Sequence, residues 1–520
     1  MANIGKNIIE NLTTAMYENS FIIYREYIQN AADSIDKAVS QGVIDKKDAI
    51  IDILIEQEKR CITIHDNAMG ISKDNFYRTL SNIADSEKDR DVDKGFRGIG
   101  RLGGLAYCDK LIFSSSLLGE NVKSVMVWDG RLLRKILADT TQHLSASELV
   151  DQLISCYQEK CNCSEHFFEV KLEGIIPESD DLLDVSKICE YLQQVAPIPY
   201  ANTFIFRSKI YEFVNHSGLQ LDEYCILVNG NQLFKPYKSE LYMVIKGKEK
   251  SYDQIYDLEF RKFEDKNGNL LGWLWIAVTG YEKQIPIANK MRGIRIRKGN
   301  IQIGNEETLF KFYKEPRGNL YFIGELFAVA KDLIPNARRD YFNINSTLKE
   351  FEAKIKPVLF TEFYSLYHYA NNVKKTCEKV VEYEKEKQEY KEKINKAKFI
   401  NSDEKDVAKK NLEQKKAELK KINRELELRK EDSKKNNMLS RVYNELEKKY
   451  RTSNIQDLEP PEINEKEEHK KNNKFLSQSL IKCNKKEQKL VSRIYVIIKA
   501  ILPKDMAEMV VEKIQEELSK

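Results

Sequence analysis

The chain has 520 residues, which is more than one ordinary hydrophobic core accommodates, so we expect roughly two to four domains. Hydrophobic residues make up 42% and charged residues 32%, and the net charge of only +4 excludes a strong overall attraction to nucleic acid or to membranes. The nine cysteines are scattered, and no apolar run approaches the ~20 residues of a membrane span, so we expect a cytoplasmic protein.

Residues 1–175 alternate helical and strand patterns. Apolar residues at helical spacing predict a helix over Ile8–Val39. Apolar runs predict four strands: Ala49–Ile55, Cys61–His65, Leu111–Ser116 and Val122–Trp128. The first two strands flank a short charged turn and are expected to pair. The pattern predicts an α/β sandwich with an antiparallel or mixed sheet.

Three polar residues recur at helical spacing in the first predicted helix. Glu26, Asn30 and Asp33 stand at i, i+4 and i+7, so they share one face. A carboxylate there can deprotonate a water molecule, and an amide oxygen can ligate Mg²⁺. The same spacing also fits a solvent-facing polar stripe, so the pattern alone leaves both interpretations open.

Asp66 ends the second predicted strand and begins the segment DNAMG (Asp66–Gly70). A buried carboxylate at a strand end can accept a hydrogen bond from an exocyclic amine and so select adenine over guanine. Gly70 allows the backbone to pass close to a flat base. A simple strand-ending turn is the alternative.

Glycines crowd the segment GFRGIGRLGG, at Gly95, Gly98, Gly100, Gly103 and Gly104. Backbone N–H groups of such a loop, with a helix after it, form an anion site. Arg97 and Arg101 add positive charge. Lys88, just upstream, is a candidate contact for a terminal phosphate.

The order of these motifs resembles the GHKL superfamily, which comprises gyrase B, the ninety-kilodalton heat-shock chaperones, histidine kinases and MutL. The lid segment GFRG is similar to that of MutL. The stretch DNAMGIS, the lid and the later segments together resemble bacterial chaperone-like ATPases and MORC proteins. The resemblance implies a Bergerat-type ATP-binding domain over residues 1–175 that uses Mg²⁺ and slowly hydrolyses ATP to ADP and phosphate.

The resemblance also implies roles for single residues. Glu26 is the general base and Asn30 the Mg²⁺ ligand. The remaining implied contacts are to the nucleotide: Asp33 in the pocket, Asp66 at the adenine amine, and Gly98 and Gly100 over the phosphates.

Two positions depart from the family pattern. Ala68 stands where the family has glycine. Glu165 and His166 stand where it has a Gly-Thr pair whose threonine helps to hold adenine. Nucleotide binding is expected despite both changes, whereas affinity and turnover depend on them.

Residues 176–360 form a second mixed segment. Strands are predicted at Cys225–Val228, Leu241–Ile245, Gly272–Val278 and Gly293–Arg297, and a helix near Thr347–Val358. The stretches Tyr281–Asn305 and Phe322–Phe342 resemble the transducer domain that follows the ATPase domain in chaperones, MutL and MORC proteins.

The segment LIPNARRD (Leu333–Asp340) resembles the chaperone motif whose arginine meets the γ-phosphate. Arg339 is the matching residue and Arg338 its nearest rival. A guanidinium can donate hydrogen bonds to two oxygens of a γ-phosphate, and ADP has no γ-phosphate to accept them. A surface ion pair with Asp340 is the alternative.

The rest of the chain reads as helical. Residues 361–450 are rich in Lys and Glu, with apolar residues spaced by seven, and predict a helical hairpin or a coiled coil, with a solvated charged helix as the alternative. Residues 451–474 read as a polar linker. Residues 475–520 are amphipathic and are expected to pack on a partner, such as a second subunit.

Together these features predict an ATP-gated, dimeric clamp that acts on a protein client. One alternative is a nucleic-acid clamp of the MORC or MutL kind, which fits a role in bacterial antiviral defence. In that interpretation DNA follows a basic stripe at Arg295 and Arg297. Ordinary surface charge is the other interpretation of that stripe. A further alternative is a nucleotide-sensing scaffold that does not hydrolyse ATP.

Overall fold

The computed structural model describes residues 5–6, 19–82, 100–139, 141–281, 283–395, 399–400, 402–434, 436–451 and 483–519. The chain divides into two compact units. One lies within Met1–Thr279 and Gln284–Tyr364, and the other within Gly280–Lys283 and Ser365–Lys520. Among the described residues, no helix is long and apolar enough to cross a membrane.

The described part of the first unit contains three β-sheets, of eight, two and five strands, together with several helices. Its helices are α1 (Ile22–Ser40), α2 (Lys73–Ser81), α3 (Gly130–Ala138), α4 (Ala146–Leu153), α5 (Val185–Val195), α6 (Arg207–His216) and α7 (Ser346–Pro357). Its first strands are β1 (Ile50–Glu56), β2 (Cys61–Asp66), β3 (Cys108–Ser116), β4 (Val122–Asp129), β5 (Ile154–Lys160), β6 (Phe167–Ile175), β7 (Cys225–Val228) and β8 (Asn231–Gln232). The later strands are β9 (Glu240–Ile245), β10 (Lys248–Gln254), β11 (Asp257–Glu264), β12 (Leu270–Val278), β13 (Gly293–Lys298), β14 (Ile301–Ile303) and β15 (Ile323–Ala328).

The first sheet has eight strands in the order β5-β4-β3-β6-β2-β1-β7-β8. The predicted pairing of the first two strands is confirmed, since β1 and β2 run antiparallel with Ile53 opposite Ile64. Helix α1 buries one apolar side in the same core, with Ile28 and Ile35 fully covered. It ends where Gly42 takes a left-handed conformation (φ +69°), which glycine adopts without strain. This is the mixed α/β sandwich expected from the sequence.

The first core extends past the boundary predicted between residues 175 and 176. Strand β7 pairs in parallel with β1, placing Ile226 beside Ile51. Leu182, Ile188 and Leu233 belong to the same buried cluster as the first sheet. The structure thus ends this core later than predicted, because a strand from further along the chain returns to the sheet edge.

The second large sheet has five strands in the order β11-β12-β15-β13-β14. Aromatic side chains fill one side of it, and Trp273 stacks on Phe327 with ring centroids 4.2 Å apart. The prediction of an exposed basic stripe is wrong, because Arg295 and Arg297 are only 2% and 0% exposed. Strand β13 is covered on both faces, so alternation along it does not give a solvent-facing side.

The second unit is helical. Its helices are α8 (Tyr364–Asn395), α9 (Ser402–Ser433), α10 (Asn437–Arg451), α11 (Lys485–Ile501) and α12 (Lys504–Ser519). Helices α8 and α9 form an antiparallel hairpin, since Lys415 pairs with Glu386 at 2.6 Å and the Tyr369 hydroxyl donates to the Arg429 carbonyl at 2.7 Å. Between them, Tyr383 and Leu419 share a small apolar cluster. The structure favours the hairpin among the alternatives left open for this segment.

Candidate nucleotide site

Helix α1 brings the three polar residues of the first motif together. Glu26 and Asp33 are each 7% exposed, and Asn30 is half-buried. Their spacing of one and two helical turns places their side chains in one row. The polar stripe is therefore not a solvent-facing one, and burying carboxylates requires partners.

The partner of Glu26 comes from the far end of the first unit. Arg339 donates from Nε to Glu26 Oε1 at 2.7 Å, although 313 residues separate them. Arg25 adds a second cation, with Nη2 at 3.8 Å from the same oxygen. The structure thus brings the predicted base and the predicted γ-phosphate contact to one point.

The loop that carries Arg339 is held in a strained form. Arg339 has φ +56°, a left-handed conformation that costs a residue with a side chain about 1–2 kcal/mol. Its N–H donates to the Asn336 carbonyl at 3.1 Å, and its carbonyl accepts from the Gly304 N–H at 2.8 Å. The Asp340 carboxylate instead accepts from the Asn336 amide at 2.5 Å. Arg338, the rival residue, is exposed.

The C-terminal part of the glycine-rich segment, which begins at Gly100, contacts α1 near Glu26. A Cβ on Gly100 would lie 2.4 Å from Glu26 Oε2, so a larger residue here would displace the Glu26 carboxylate. The Tyr27 hydroxyl donates to the Arg101 carbonyl at 3.0 Å and accepts from the Gly104 N–H at 3.1 Å. Tyr27 therefore anchors this segment beside Glu26, a role that the sequence motifs did not indicate.

Arg101 has a different role from the one predicted. Its guanidinium donates to the Thr79 carbonyl at 2.5 Å and to the Asn82 carbonyl, at the end of α2. Burial lowers the pKa of Arg101 to about 10. A cation at a helix C-terminus is favourable, and here it fixes the glycine-rich segment to α2. The predicted residues Lys88, Gly95 and Gly98 lie outside the described residues.

Asp66 lies at the end of β2 and is 3% exposed. Its Oδ1 accepts from the Ala68 N–H at 3.2 Å, which closes a tight turn. Gly70 has φ +68°, and a Cβ there would lie 1.9 Å from the Ser116 carbonyl oxygen. Close contact with β3 is thus a reason for glycine at this position that does not depend on a bound base.

The residues after Asp66 are tied to two neighbouring strands. The Ile71 N–H donates to Ser115 Oγ at 2.8 Å, and that hydroxyl donates to the Phe167 carbonyl at 2.7 Å. His166 Nδ1 lies 2.7 Å from the Ala68 carbonyl oxygen, so it acts as the donor. His166 stands where the family pattern has threonine. Its side chain therefore supports the Asp66–Gly70 turn by binding the backbone carbonyl of Ala68.

The donor set suits a magnesium-bound nucleotide. Asn30 supplies an amide oxygen, a hard donor of the kind that Mg²⁺ prefers, and the carboxylates of Glu26 and Asp33 lie in the same row. The close approach of Gly100 to Glu26 leaves backbone rather than side chain at this point. The residues present thus fit the predicted ligand.

Part of this chain is similar to known ATPases and chaperones. A model of the family described as histidine kinase-, DNA gyrase B- and HSP90-like ATPases matches residues 17–156. The chaperone protein HtpG of Clostridium acetobutylicum is 30% identical over 110 residues, 19% of this chain and 18% of that protein. HtpG of Clostridium perfringens is 26% identical over 205 residues, 35% of this chain and 33% of that protein.

HtpG of Photorhabdus laumondii is 27% identical over 143 residues, 24% of this chain and 22% of the relative. The chain thus matches only about a fifth to a third of the length of these curated relatives. The resemblance predicted from the motifs at Glu26, Asp66 and the glycine-rich segment is confirmed: the N-terminal region of this chain is similar to ATPases of the GHKL superfamily.

Proposed function

We propose that this chain binds ATP with Mg²⁺ beside α1, hydrolyses it with Glu26 as general base, and uses Arg339 to detect the γ-phosphate. The observation that carries the proposal is the 2.7 Å contact between Arg339 and Glu26. It pairs a residue of the family's ATPase motif with a cation from a distant part of the chain.

The chemistry follows from the properties of these side chains. Glu26 accepts a proton from a water molecule whose oxygen forms a bond to the γ-phosphorus, as the bond from that phosphorus to the ADP oxygen breaks. The Asn30 amide oxygen would hold Mg²⁺, whose charge offsets that of the phosphates. Asp66 accepts from the adenine amine.

Arg339 would couple the presence of ATP to the second sheet. In the structure its guanidinium donates to Glu26. A γ-phosphate offers two oxygens in a geometry that matches the guanidinium fork, so ATP competes with Glu26 for Arg339 and ADP does not. This competition also releases Glu26 to act on water.

Replacing Arg339 by glutamine is expected to lower ATP turnover about a hundredfold and to leave ADP affinity within about twofold of the original. The reason is that the guanidinium stabilises charge on the transferred group but does not contact the base or ribose. Phosphate release and calorimetric titration with ADP measure the two effects. Arg338→Gln is the matched control, because this neighbouring arginine is exposed. Equal losses in both variants, or none in Arg339→Gln, would contradict the role.

We further propose that the chain works as a dimeric clamp in the cytoplasm with a protein client. If so, light scattering during size-exclusion chromatography should show a closed or dimeric form with a non-hydrolysable ATP analogue and a more open or monomeric form with ADP. The same profile with both nucleotides contradicts the clamp. Adding DNA to the same runs tests the nucleic-acid alternative, which the burial of Arg295 and Arg297 no longer supports.

The scaffold without hydrolysis remains a second candidate. It is favoured by His166, which binds the Ala68 carbonyl where the family pattern has an adenine-contacting threonine. Binding of ATP without phosphate release by the unmodified protein would support it.

A further inference from the structure

A fully buried ion network lies in the second sheet. Lys235, Arg297 and Glu325 are each 0% exposed. Lys235 Nζ lies 2.9 Å from Glu325 Oε2, and Arg297 Nε donates to Glu325 Oε1. Two cations and one carboxylate without solvent are expensive to bury, so the additional hydrogen bonds that they form are informative.

The remaining donors of Arg297 face two backbone carbonyls. Nη1 donates to the Asn300 carbonyl at 3.1 Å, within the β13–β14 turn. Nη2 donates to the Gln194 carbonyl at 2.8 Å, in the last turn of α5. Carbonyls in a last helical turn have no partner inside the helix, and a cation there is favoured by the helix dipole. Arg297 therefore attaches the β13–β14 hairpin to α5.

The two ends of this connection lead to the candidate site. Helix α5 packs against α1, which carries Glu26, and also against β14. Strand β14 leads directly to Gly304, whose N–H donates to the Arg339 carbonyl at 2.8 Å. The Gln302 amide holds the same corner by donating to the Gly304 carbonyl at 2.9 Å. The contacts thus form a closed circuit from α1 through α5, Arg297 and the hairpin to Arg339, and back to Glu26.

We propose that Arg297 is a positioning residue: by fixing the β13–β14 hairpin to the C-terminal end of α5, it sets where Arg339 stands relative to Glu26. The effect on turnover rests on the proposed function, whereas the effect on the Arg339 loop does not. Arg297 touches neither Glu26 nor a nucleotide, so it acts only through the hairpin.

The variant Arg297→Lys tests this role. Lysine keeps a cation beside Glu325, but one ammonium cannot replace the guanidinium fork that reaches Glu325, Asn300 and Gln194 together. Hydrogen exchange of the Gly304 amide, measured without nucleotide, should accelerate about tenfold, since about one hydrogen bond's worth of restraint is lost. Turnover should fall with ADP affinity unchanged, and Arg297→Lys should add no further loss to Arg339→Gln.

The matched control is Lys290→Ala. Lys290 pairs with Glu190 of α5 at 2.7 Å, but both side chains are about half exposed, so this pair should contribute little. Exchange at Gly304 and turnover should then match the unmodified protein. An equal acceleration in Lys290→Ala would overturn the specific role of Arg297.

The outcomes separate the two proposals. Unchanged exchange at Gly304 in a folded Arg297→Lys protein overturns the positioning role, whatever the turnover. Faster exchange with normal turnover in both Arg297→Lys and Arg339→Gln supports positioning and overturns the role of Arg339. If Arg297→Lys does not fold, Gln302→Met provides a second test, because Gln302 holds the other end of the hairpin and is not part of the ion network. Unchanged hydrogen exchange at Gly304 in that variant also overturns the proposal.

Discussion

Replacing Glu26 with alanine is expected to slow ATP hydrolysis by about 10²- to 10⁴-fold, the range of a lost general base, while ATP still binds. Binding should persist because, in the proposed site, other residues make the adenine and phosphate contacts. ATP affinity should even hold or rise, since Arg339 loses a carboxylate that competes with the γ-phosphate. Phosphate release under saturating ATP and calorimetric titration of ATP measure the two quantities.

Two further variants sharpen this test. Glu26→Gln keeps the shape of the side chain but removes its basicity, so it should be as slow as Glu26→Ala. Glu58→Ala removes an exposed carboxylate from the turn between β1 and β2 and should leave turnover unchanged. Turnover near that of the unmodified protein in Glu26→Gln would remove Glu26 from the mechanism.

Replacing Glu325 with alanine is expected to lower the free energy of unfolding by about 3–5 kcal/mol. The substitution leaves Lys235 and Arg297 as buried cations without their carboxylate. Urea denaturation followed by tryptophan fluorescence is a suitable measurement, because Trp275 Nε1 lies 3.3 Å from Glu325 Oε2. The control Glu190→Ala removes an exposed carboxylate and should cost less than about 1 kcal/mol. Similar losses in both variants would contradict the importance of the network.

The same carboxylate predicts an acid dependence. Burial alone would raise the pKa of Glu325, but Arg297 and Lys235 outweigh it and lower that pKa to about 2. Since the folded pKa lies below that of the unfolded chain, the contribution to stability is present above about pH 4.5 and is lost as pH falls toward 2. Glu325→Gln should therefore have a flatter stability profile over this interval.

The sequence could predict the parts of the site that depend on local spacing. Glu26, Asn30 and Asp33 lie on one face of the helix however that helix packs in the fold, because the helical repeat alone determines which residues share a face. Asp66 at the end of an apolar run is likewise a local pattern. The resemblance to the family then placed Arg339 near the site, and the structure brings it to Glu26.

Contacts that depend on long-range register were not predictable in this way. Tyr27 looked like an ordinary aromatic in an amphipathic helix, and its hydroxyl finds partners more than seventy residues away. Arg295 and Arg297 share one face of β13 because side chains alternate between the two faces of a strand. This alternation does not tell whether that face is exposed to solvent. Their carboxylate partners come from elsewhere in the chain: Arg297 pairs with Glu325, and Arg295 lies 3.5 Å from Glu306.

The return of β7 to the first sheet has a consequence for any attempt to work with an isolated nucleotide domain. A fragment cut at residue 175 would lack β7 and leave the β1 edge open, with its main-chain hydrogen-bonding groups unpaired and Ile51 without its neighbour Ile226. Open edges of this kind promote aggregation. Expression of the domain should therefore extend beyond Leu233, the last residue of its buried cluster.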